Sequence, residues 1–557
     1  MFLTILNYIY VGFFVLFFFG FCIFIHELGH FLAAKWRKLH IVAFSIGFKK
    51  IWAFKHKGIE YRIGCLPFGG YVDIPQLEPN SSVKDHNGRP LPSIKPINRI
   101  IVAFAGPFFN ILFGFALATM LWYYGIPSGS PKMDTIKVAT VQVQSPEYKA
   151  GLRPGDEIVR INDSRFNDTW DKVIQQIIFT IGKVKLGIKE GDTIKTISYE
   201  PIINKTEMPA LAKSGLPYPF FTPEIPIIIN VQDGSQAAED GLKTGDRILE
   251  INNKPITTPG KFYLAIAELN EAPVNIKLSR KGKIIKLANV KTTAMQKAAY
   301  YMIGIPVTQE VPIRMDRSIK GSAAYTAGIK QGDYLLKANG IELTSFAELS
   351  RIIKEGKGKT IDFTIRRNNK ILNIDVTPKL FTPHYIDGIS VVFRNHITPW
   401  QQFTNVISMS YKSLRGIFSQ NSYIKAKHLS GPIGIVTVIG TAVYHGSLLI
   451  AFNIIAIITF SLALLNLLPL PVLDGGHILL SIIEIIIGRP LPTKLMQPIC
   501  MIFVMLLISL MIFVTFNDIN RITNISSFFS SSKSSEKAKP VNINKPKHIK
   551  STKTLNE

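Results

Sequence analysis

The sequence predicts an α-helical polytopic membrane protein with about four transmembrane helices, a membrane-associated β-hairpin region and three inserted α/β domains. Three observations support this prediction: four long apolar segments, glycine-rich alternating residues between the first two, and a short motif that occurs three times in the middle of the chain. The 557 residues leave room for several domains. The mean hydropathy of +0.21 suits a membrane core that carries water-soluble domains.

The four apolar segments cover residues of about 5–25, 100–123, 448–468 and 496–516. Each has close to the ~20 residues that a helix needs to cross a bilayer core. The N-terminus has no charged region followed by a cleavage site, so the first segment is interpreted as a retained helix. The sequence therefore predicts membrane parts at residues 1–126 and 397–520, the latter beginning with an interfacial helix near 399–419.

The stretch between the first two apolar segments is basic and rich in turn residues. Residues 41–74 alternate apolar and polar side chains around glycines, which is typical of short strands in hairpins. Such backbone is tolerated at membrane depth only where protein shields it from lipid. We therefore predict a hairpin region that enters the membrane part of the protein.

A motif with a Gly-Asp turn occurs three times, each time followed by a strand that ends in asparagine. The turns are Gly155-Asp156, Gly245-Asp246 and Gly332-Asp333. This pattern resembles PDZ domains and implies three of them, near residues 134–205, 224–294 and 300–380. PDZ domains bind extended peptide termini as an added strand. The alternative is that one or more of these domains only braces or gates the membrane part.

The charge of +26 is spread over membrane-flanking loops, the middle domains and the tail, without a nucleic-acid recognition motif. This distribution favours a lipid bilayer as the partner and no nucleic acid. The last residues, 526–557, are rich in Ser, Lys and Asn and are predicted to be a disordered basic tail. The three cysteines contain no Cys-x-x-Cys pair, so neither a disulfide framework nor a thiolate metal site is indicated.

The first apolar segment ends in the sequence His26-Glu27-Leu28-Gly29-His30. On a helix, His26 and His30 lie on one face and can bind one Zn²⁺, with Glu27 beside the open position as a general base. Ionisable side chains in a lipid-spanning segment are costly and usually functional. The alternative is a pair of surface histidines near a helix end.

A hydrolytic zinc site needs a third protein ligand, and the best candidate is Asp474. It follows the third apolar segment, in a Pro- and Gly-rich stretch that interrupts any continuous helix. Zinc on two histidines is a fitting counter-charge for a carboxylate there. The alternative is a loop aspartate just outside the membrane. His477 follows one turn later, where a supporting or helix-start role is favoured over a fourth ligand.

Together, these motifs resemble the site-2 protease family of intramembrane zinc metalloproteases, in its bacterial regulator-of-sigma-E branch. The resemblance rests on the His26–His30 motif, Gly106-Pro107 with Asn110, the PDZ-like inserts, and Asn466 to Gly475. It implies a metalloendopeptidase with zinc on His26, His30 and Asp474, Glu27 as the catalytic residue, and Asn466 holding the substrate backbone.

The resemblance also implies the kind of substrate, and the chain departs from the family in some details. The implied substrates are single-span membrane proteins, such as a trimmed anti-sigma factor, or signal-peptide remnants. Many family members have two PDZ domains instead of three, a basic residue where this chain has Asp73, and a shorter tail. These departures concern substrate choice and gating and leave the chemistry of the site unchanged.

The orientation follows from the lysines and arginines. Seven of them lie in the loop after the first apolar segment, at positions 35, 37, 38, 49, 50, 55 and 57, whereas residues 1–10 contain none. The positive-inside rule places this loop in the cytoplasm, although the basic tail, which would then lie outside, runs against the rule. We therefore predict a multi-pass protein of the bacterial inner (plasma) membrane with its PDZ-like domains on the periplasmic side.

Two other functions remain open from the sequence. One is a non-catalytic membrane scaffold that binds peptide C-termini through its PDZ-like domains. The other is a transporter or channel whose buried charges bind an ion. The scaffold needs no zinc, and the transporter predicts metal flux without a cleaved product.

Overall fold

The computed structural model describes residues 2–77, 91–92, 94–204, 209–267, 273–294, 300–302, 313–315, 322–343, 346–381, 384–391, 393–489 and 493–534. Within them the helices are α1 (Phe2–Trp36), α2 (Pro96–Tyr124), α3 (Pro146–Lys149), α4 (Trp170–Phe179), α5 (Pro209–Ser214), α6 (Gln236–Glu239), α7 (Pro259–Ala267), α8 (Ala323–Thr326), α9 (Phe346–Gly356), α10 (Pro399–Phe418), α11 (Pro432–Tyr444), α12 (Leu448–Asn466), α13 (Asp474–Ile487) and α14 (Thr493–Ser534).

The strands are β1 (Ala43–His56), β2 (Ile59–Asp73), β3 (Ile126–Ser128), β4 (Ile136–Val141), β5 (Glu157–Ile161), β6 (Ser164–Arg165), β7 (Val184–Glu190), β8 (Thr193–Tyr199), β9 (Phe221–Pro223), β10 (Ile227–Val231), β11 (Arg247–Ile251), β12 (Lys254–Pro255), β13 (Val274–Arg280), β14 (Lys283–Val290), β15 (Thr293–Ala294), β16 (Tyr300–Met302), β17 (Ile313–Arg314), β18 (Tyr334–Ala338), β19 (Ile341–Glu342), β20 (Ile361–Arg367), β21 (Lys370–Val376), β22 (Lys379–Phe381), β23 (His384–Tyr385), β24 (Ile389–Val391) and β25 (Phe393–Asn395).

Four helices in the described part of the chain are long and apolar enough to cross a membrane, which confirms the prediction from the sequence. They are Leu6–Trp36, Pro96–Tyr124, Leu448–Asn466 and Met496–Arg521. The first is longer than its apolar segment because the helix continues through the His26–His30 motif. A shorter apolar helix, α11, precedes the third span.

The chain divides into two compact units, which we call the membrane unit and the insert unit. The membrane unit holds the described residues of Met1–Thr119, Pro399–Ser408 and Lys425–Glu557. The insert unit holds those of Met120–Thr398 and Met409–Ile424.

Small residues let α1 and α2 approach closely within the membrane unit. A Cβ atom on Gly29 would lie 3.0 Å from Cα of Gly106, and one on Gly106 would lie 2.9 Å from Cε1 of His26. Further along α1, Phe14 and Phe18 pack on Phe452 of α12, with ring centroids 5.8 and 5.2 Å apart. Helix α1 thereby packs against both α2 and α12.

The hairpin of β1 and β2 bends into a small sheet. Residues 43–46 pair with residues 70–73 on one side and with residues 60–63 on the other, and residues 52–56 pair with residues 59–63. The segments 70–73 and 52–56 therefore form its two edges. The structure shows this hairpin directly, whereas its depth in a bilayer stays a prediction.

The insert unit contains three larger sheets within its described residues, one for each repeat of the Gly-Asp motif. Their strand orders are β8-β7-β5-β4-β9, β14-β13-β11-β10-β24 and β17-β18-β20-β21. The strand after the Gly-Asp turn begins at Glu157, Arg247 and Tyr334 in the three repeats. Each sheet has its own hydrophobic core, so the repeats are separate folding units.

The second and third repeats share a buried ion pair that the first lacks. Arg280 donates to both carboxylate oxygens of Asp246 at 2.7 and 2.8 Å, and Arg367 does the same to Asp333 at 2.8 and 2.7 Å. In the first repeat, the corresponding last residue of β7 is Glu190. The second and third repeats are therefore more alike than either is to the first.

The third repeat is inserted within the second. The edge strand of the second sheet, β24, comes after the whole third repeat and pairs with β10. The strands that lead into the third repeat, β15 and β16, pair antiparallel with β23 and β22, respectively, which lead back out of it. The predicted ranges 134–205 and 224–294 thus omit the edge strands β9 and β24, because periodicity cannot link a strand to a partner that far along the chain.

The predicted disordered tail, residues 526–557, falls mainly outside the described residues, which end at Ser534. Helix α14 continues through the first part of that range. A helix already formed over an apolar span extends readily, since each added residue gains one hydrogen bond without a new nucleus. For residues 526–534 the structure therefore corrects the prediction.

Candidate metal centre

Helix α1 places the two histidines of the motif together. One helical turn separates His26 from His30, and their ring centroids lie 4.8 Å apart at an interplanar angle of 85°. Their Nε2 atoms approach to 3.2 Å. The two nitrogens therefore point at the same space, as the four-residue spacing predicts.

Asp474 reaches the same space from the other end of the chain. It is the first residue of α13, directly after the Pro-rich loop that ends α12. Its Oδ2 lies 3.2 Å from Nε2 of His26, and its Oδ1 lies 3.5 Å from Nε2 of His30. One donor atom from each of the three residues lies within 4.8 Å of the others. The structure thus brings the three predicted ligands together.

The donor set fits zinc. Two imidazole nitrogens and one carboxylate oxygen are a usual ligand set of catalytic zinc sites, which keep one position open. The three side chains are partly buried, so little water competes for the donor atoms. His26, His30 and Asp474 are therefore the residues that would hold the metal.

A backbone carbonyl orients the His30 ring. Its Nδ1 lies 2.7 Å from the carbonyl oxygen of Val102 in α2. Because a carbonyl only accepts, Nδ1 carries the proton and the Nε2 lone pair is free for a metal. This second hydrogen bond is typical of metal-ligating histidines.

Asn110 of α2 supports the His26 ring in the same way. It is fully buried, its amide nitrogen lies 3.2 Å from Nδ1 of His26, and its Oδ1 has no hydrogen-bond partner among the described residues. A half-turn of the amide places Oδ1 against Nδ1. That oxygen then accepts a hydrogen bond from Nδ1–H of His26, which leaves Nε2 free for the metal, and the buried oxygen gains a partner.

Glu27 lies between the histidines and the hairpin edge. It is only 9% exposed. A Cβ atom on Gly70 would lie 2.9 Å from its Cγ, and the backbone amide of Val72 faces its carboxyl group. The edge segment 70–73 therefore forms a wall beside the predicted general base.

A cavity of about 220 Å³ opens onto these groups. It is lined by His26, Glu27, His30, Gly70, Tyr71, Val72, Ile74, Leu77, Arg99, Ala103, Asp474 and His477. The three candidate ligands His26, His30 and Asp474, which we call the metal group, thus line the same cavity as Glu27 and the hairpin edge. This space is large enough for a short length of extended backbone.

The two remaining predicted residues lie beside the metal group. The side-chain nitrogen of Asn466, at the end of α12, lies 3.4 Å from Nε2 of His26. His477 lines the cavity from the first turn of α13 but is outside the group of three that could hold a metal. The role of Asn466 toward a substrate stays a prediction.

An ion pair connects α13, the helix that begins at Asp474, with α2. Arg99 of α2 donates to Glu484 of α13, and each side chain is 11% exposed. The pair lies two to three turns beyond Asp474 on α13. It therefore fixes the position of this helix relative to α2, the helix that also carries Asn110 and Val102.

Sequence reasoning missed the contacts of Asn110 and Arg99. The available signal was the same for both: a polar side chain in or at the start of an apolar helix has to find a partner. Nothing in the sequence alone identifies those partners, His26 and Glu484, because they lie on other helices.

Two histidines of a membrane-length helix that meet an aspartate, with a glutamate beside them, are typical of a membrane metalloprotease as the class of protein. Comparison with known families agrees, because the model of peptidase family M50 matches residues 14–510. The chain belongs to peptidase family M50, the site-2 proteases. This membership confirms the intramembrane zinc metalloprotease predicted from the sequence and does not favour the scaffold alternative.

Relatives match over most of their length. A Vibrio cholerae protein described as a zinc metalloprotease is 27% identical over 513 residues, which cover 90% of this chain and 97% of the relative. The regulator of sigma-E protease RseP of Salmonella typhimurium is 25% identical over 517 residues, with 90% and 97% covered. The protease RseP of Yersinia pestis is 25% identical over 520 residues, again with 90% and 97% covered.

Among solved structures, the HtrA3 PDZ domain bound to a phage-derived ligand overlaps a small part of the chain. It covers 16% of this chain and 92% of its own, with 19% identity and a TM-score of 0.14. An overlap of this size carries no argument about the repeats.

Replacing Asn110 with Ala should weaken metal binding, because the His26 ring loses the group that sets its tautomer. We expect a drop of about 10- to 100-fold in zinc affinity and in activity. Asn110→Asp, which keeps an acceptor oxygen, should retain more of both. Thr119→Ala is the matched control on α2, since that hydroxyl bonds only to Phe115 of its own helix. Unchanged zinc affinity in Asn110→Ala would show that the contact has no such role.

Removing one partner of the Arg99–Glu484 pair should destabilise the membrane unit by about 3–5 kcal/mol, because the other charge stays buried and unpaired. The measurement is denaturant unfolding in detergent for Arg99→Gln and Glu484→Gln, with cleavage assayed alongside. The exchange Arg99→Glu with Glu484→Arg should recover part of the loss. Lys50→Gln, which breaks a more exposed pair with Glu60, should change little. If the Lys50 variant lowers the free energy of unfolding as much as the Arg99 and Glu484 variants do, the Arg99–Glu484 pair has no special role in stability.

Proposed function

We propose that this protein hydrolyses peptide bonds within the transmembrane segments of single-span membrane proteins, with zinc held by His26, His30 and Asp474. The observation that carries the proposal is that Asp474 meets His26 and His30 beside Glu27 on a membrane-length helix. An anti-sigma-factor-like protein or a signal-peptide remnant is the substrate that the family suggests. The name of the Salmonella relative, regulator of sigma-E protease, supports the first of these.

The chemistry follows from the positions of the protein groups. Zinc, when bound, would polarise the scissile carbonyl and acidify a water molecule. The Glu27 carboxylate takes a proton from that water and passes it to the nitrogen of the leaving amine. The side-chain N–H groups of Asn466, beside His26, donate to a backbone carbonyl of the substrate and hold it in line. The packed helices around the site restrict bulk water.

The edge segment 70–73 holds the substrate in an extended form. A substrate helix hides its backbone groups in its own hydrogen bonds and has to unwind before it can be cleaved. Asp73 accepts a bond from Val42 within the sheet, so the alternate residues Gly70 and Val72 direct their backbone groups away from it. Adding the unwound segment to this edge would replace the lost hydrogen bonds.

The three repeats of the insert unit act as PDZ-like domains that bind or sort peptide termini. In each repeat a short helix follows the first strand of the sheet, and the sheet has an edge with unpaired backbone groups. This arrangement suits the addition of a peptide strand. The loop after α1 is basic, so it lies in the cytoplasm by the positive-inside rule. The repeats then lie on the periplasmic side of a bacterial inner membrane, where they meet substrates already trimmed by another protease.

The variant Glu27→Gln tests the function. It should lower cleavage of a membrane substrate by about 10²- to 10⁴-fold, because no group remains to move the proton. Zinc content should stay near that of the unchanged protein, since Glu27 is not a ligand, whereas His30→Ala should lose zinc and activity together. Mass spectrometry of membrane peptides that accumulate in cells would identify the substrate. A Glu27→Gln protein that still functions in cells would point to the scaffold instead.

Proline at the outward positions of segment 70–73 tests the strand-addition step. Gly70→Pro and Val72→Pro each remove an N–H at this edge, so cleavage of a helical membrane substrate should fall about fivefold or more, as a loss of about 1 kcal/mol or more for each ladder bond predicts. Because both residues also contact Glu27, the loss supports strand addition where it exceeds the loss measured with a short extended peptide. Lys55→Pro, at an outward position of the opposite edge 52–56, is the matched control. If the control and both edge variants cleave at the same rate as the unchanged protein, strand addition is wrong.

A further inference from the structure

A basic cleft of about 480 Å³ lies in the insert unit and shares no residue with the metal centre. One wall is the β5–β6 turn with the segment that follows α4, and the other is the last part of α10. Four cationic side chains line it, Lys183 and Lys185 from the first wall and Lys412 and Arg415 from the second. One carboxylate, Asp163, is present among the lining residues.

Hydrogen bonds fix the wall that carries Lys183 and Lys185. The Asn162 amide donates to Oγ1 of Thr180 at 3.0 Å and accepts from the backbone N–H of Lys185 at 3.2 Å. The Thr180 hydroxyl donates to the carbonyl of Gln176 in α4 at 2.7 Å. Helix α10 is held against α4, where the Gln175 amide donates to Sδ of Met409 at 3.1 Å. The two walls of the cleft are therefore set by the fold.

The positive charge in the cleft is largely unpaired. Lys185 approaches Asp163 at 3.4 Å, with both side chains more than half exposed. Among the described residues, no carboxylate forms an ion pair with Lys183, Lys412 or Arg415. Burial lowers the pKa of the neighbouring Lys172; the Asp168 carboxylate opposes this shift, and the Lys412 ammonium adds to it. The cleft therefore has the field of a site for an anion.

The partial negative charges at helix C-termini balance only part of the charge of the four cations. The C-termini of α4 and α10 both lie at this cleft, and each carries about half a negative charge. Together they would balance about one of the four cations. The cleft therefore keeps a net positive charge that attracts anions.

The exposed side of α10 indicates what kind of anion this is. Tyr411, Leu414 and Phe418 follow one another at helical spacing and are 65%, 51% and 86% exposed. Lys412 and Arg415 border this apolar stripe, while Met409 on the opposite side of the helix contacts α4. An apolar stripe bordered by basic residues is typical of a helix that lies in a lipid surface with its cations at the headgroups.

We propose that this cleft binds the phosphate of an anionic phospholipid headgroup, with the Tyr411–Phe418 stripe buried among the lipid chains beside it. Lys183 and Lys185 on one wall and Lys412 and Arg415 on the other contact the phosphate oxygens. The site holds the first repeat against the bilayer surface, because its cations come from that repeat and from α10.

Binding of a short-chain phosphatidylglycerol to the purified full chain in a neutral detergent tests the proposal, with native mass spectrometry or calorimetry as the measurement. The unchanged protein should bind it at least tenfold more tightly than the phosphatidylcholine of the same chain length. Lys412→Gln with Arg415→Gln should remove this preference, and so should Lys183→Gln with Lys185→Gln on the other wall. The control Lys283→Gln with Lys286→Gln, at exposed positions of β14, should keep it.

Two other ligands are tested in the same assay. If inorganic phosphate binds the cleft as tightly as phosphatidylglycerol, the lipid chains contribute nothing and the lipid proposal falls. If an acidic peptide binds through these four cations and phosphatidylglycerol does not, the cleft is a protein-docking site and the proposal also falls. A loss of lipid preference in the control pair, equal to that in both cleft pairs, would show only a general effect of net charge and would overturn the site.

Discussion

The approach of the Asp474 carboxylate to the paired imidazoles of His26 and His30 is the contact on which the rest of the structure depends. A carboxylate in apolar surroundings is stable only beside a counter-charge or hydrogen-bond donors. The Pro- and Gly-rich loop that ends α12 makes this possible, because it starts α13 with its first residue already at the histidines. Residues more than 440 positions apart in the sequence are thereby joined at one point.

The helices around that contact act as a frame of fixed hydrogen bonds. Helix α2 supplies both groups that orient the histidine rings, the Val102 carbonyl and the Asn110 amide. The same helix holds α13 through Arg99 and Glu484. Because α2 contacts both ligand-bearing helices, it sets the distance between the donors as well as their orientation. The glycines at the crossing of α1 and α2 are needed for this, since a side chain there would push the rings away.

That His26, His30 and Asp474 lie together could be predicted from the sequence because the signals are local: a four-residue spacing on one helix, and one carboxylate directly after a Pro-rich stretch that interrupts a helix. The four spans were predictable for the same reason. The partners of Asn110 and Arg99 could not be predicted. They depend on which helix faces meet, and the residue spacing within one segment does not specify how helices pack. The edge strand β24 was missed because its pairing with β10 spans the whole third repeat.

The nesting of the third repeat inside the second has a consequence for the order of synthesis. Strand β14 ends at Val290, and β24 begins only at Ile389. At a translation rate of about 5–20 residues per second, the ribosome needs roughly 5–20 s to deliver the missing strand. During that time the third repeat, whose described strands are contiguous, can already fold, while the second waits with the β10 side of its sheet uncovered. Nascent chains of this protein thus pass through an interval in which an exposed strand invites chaperones or mispairing.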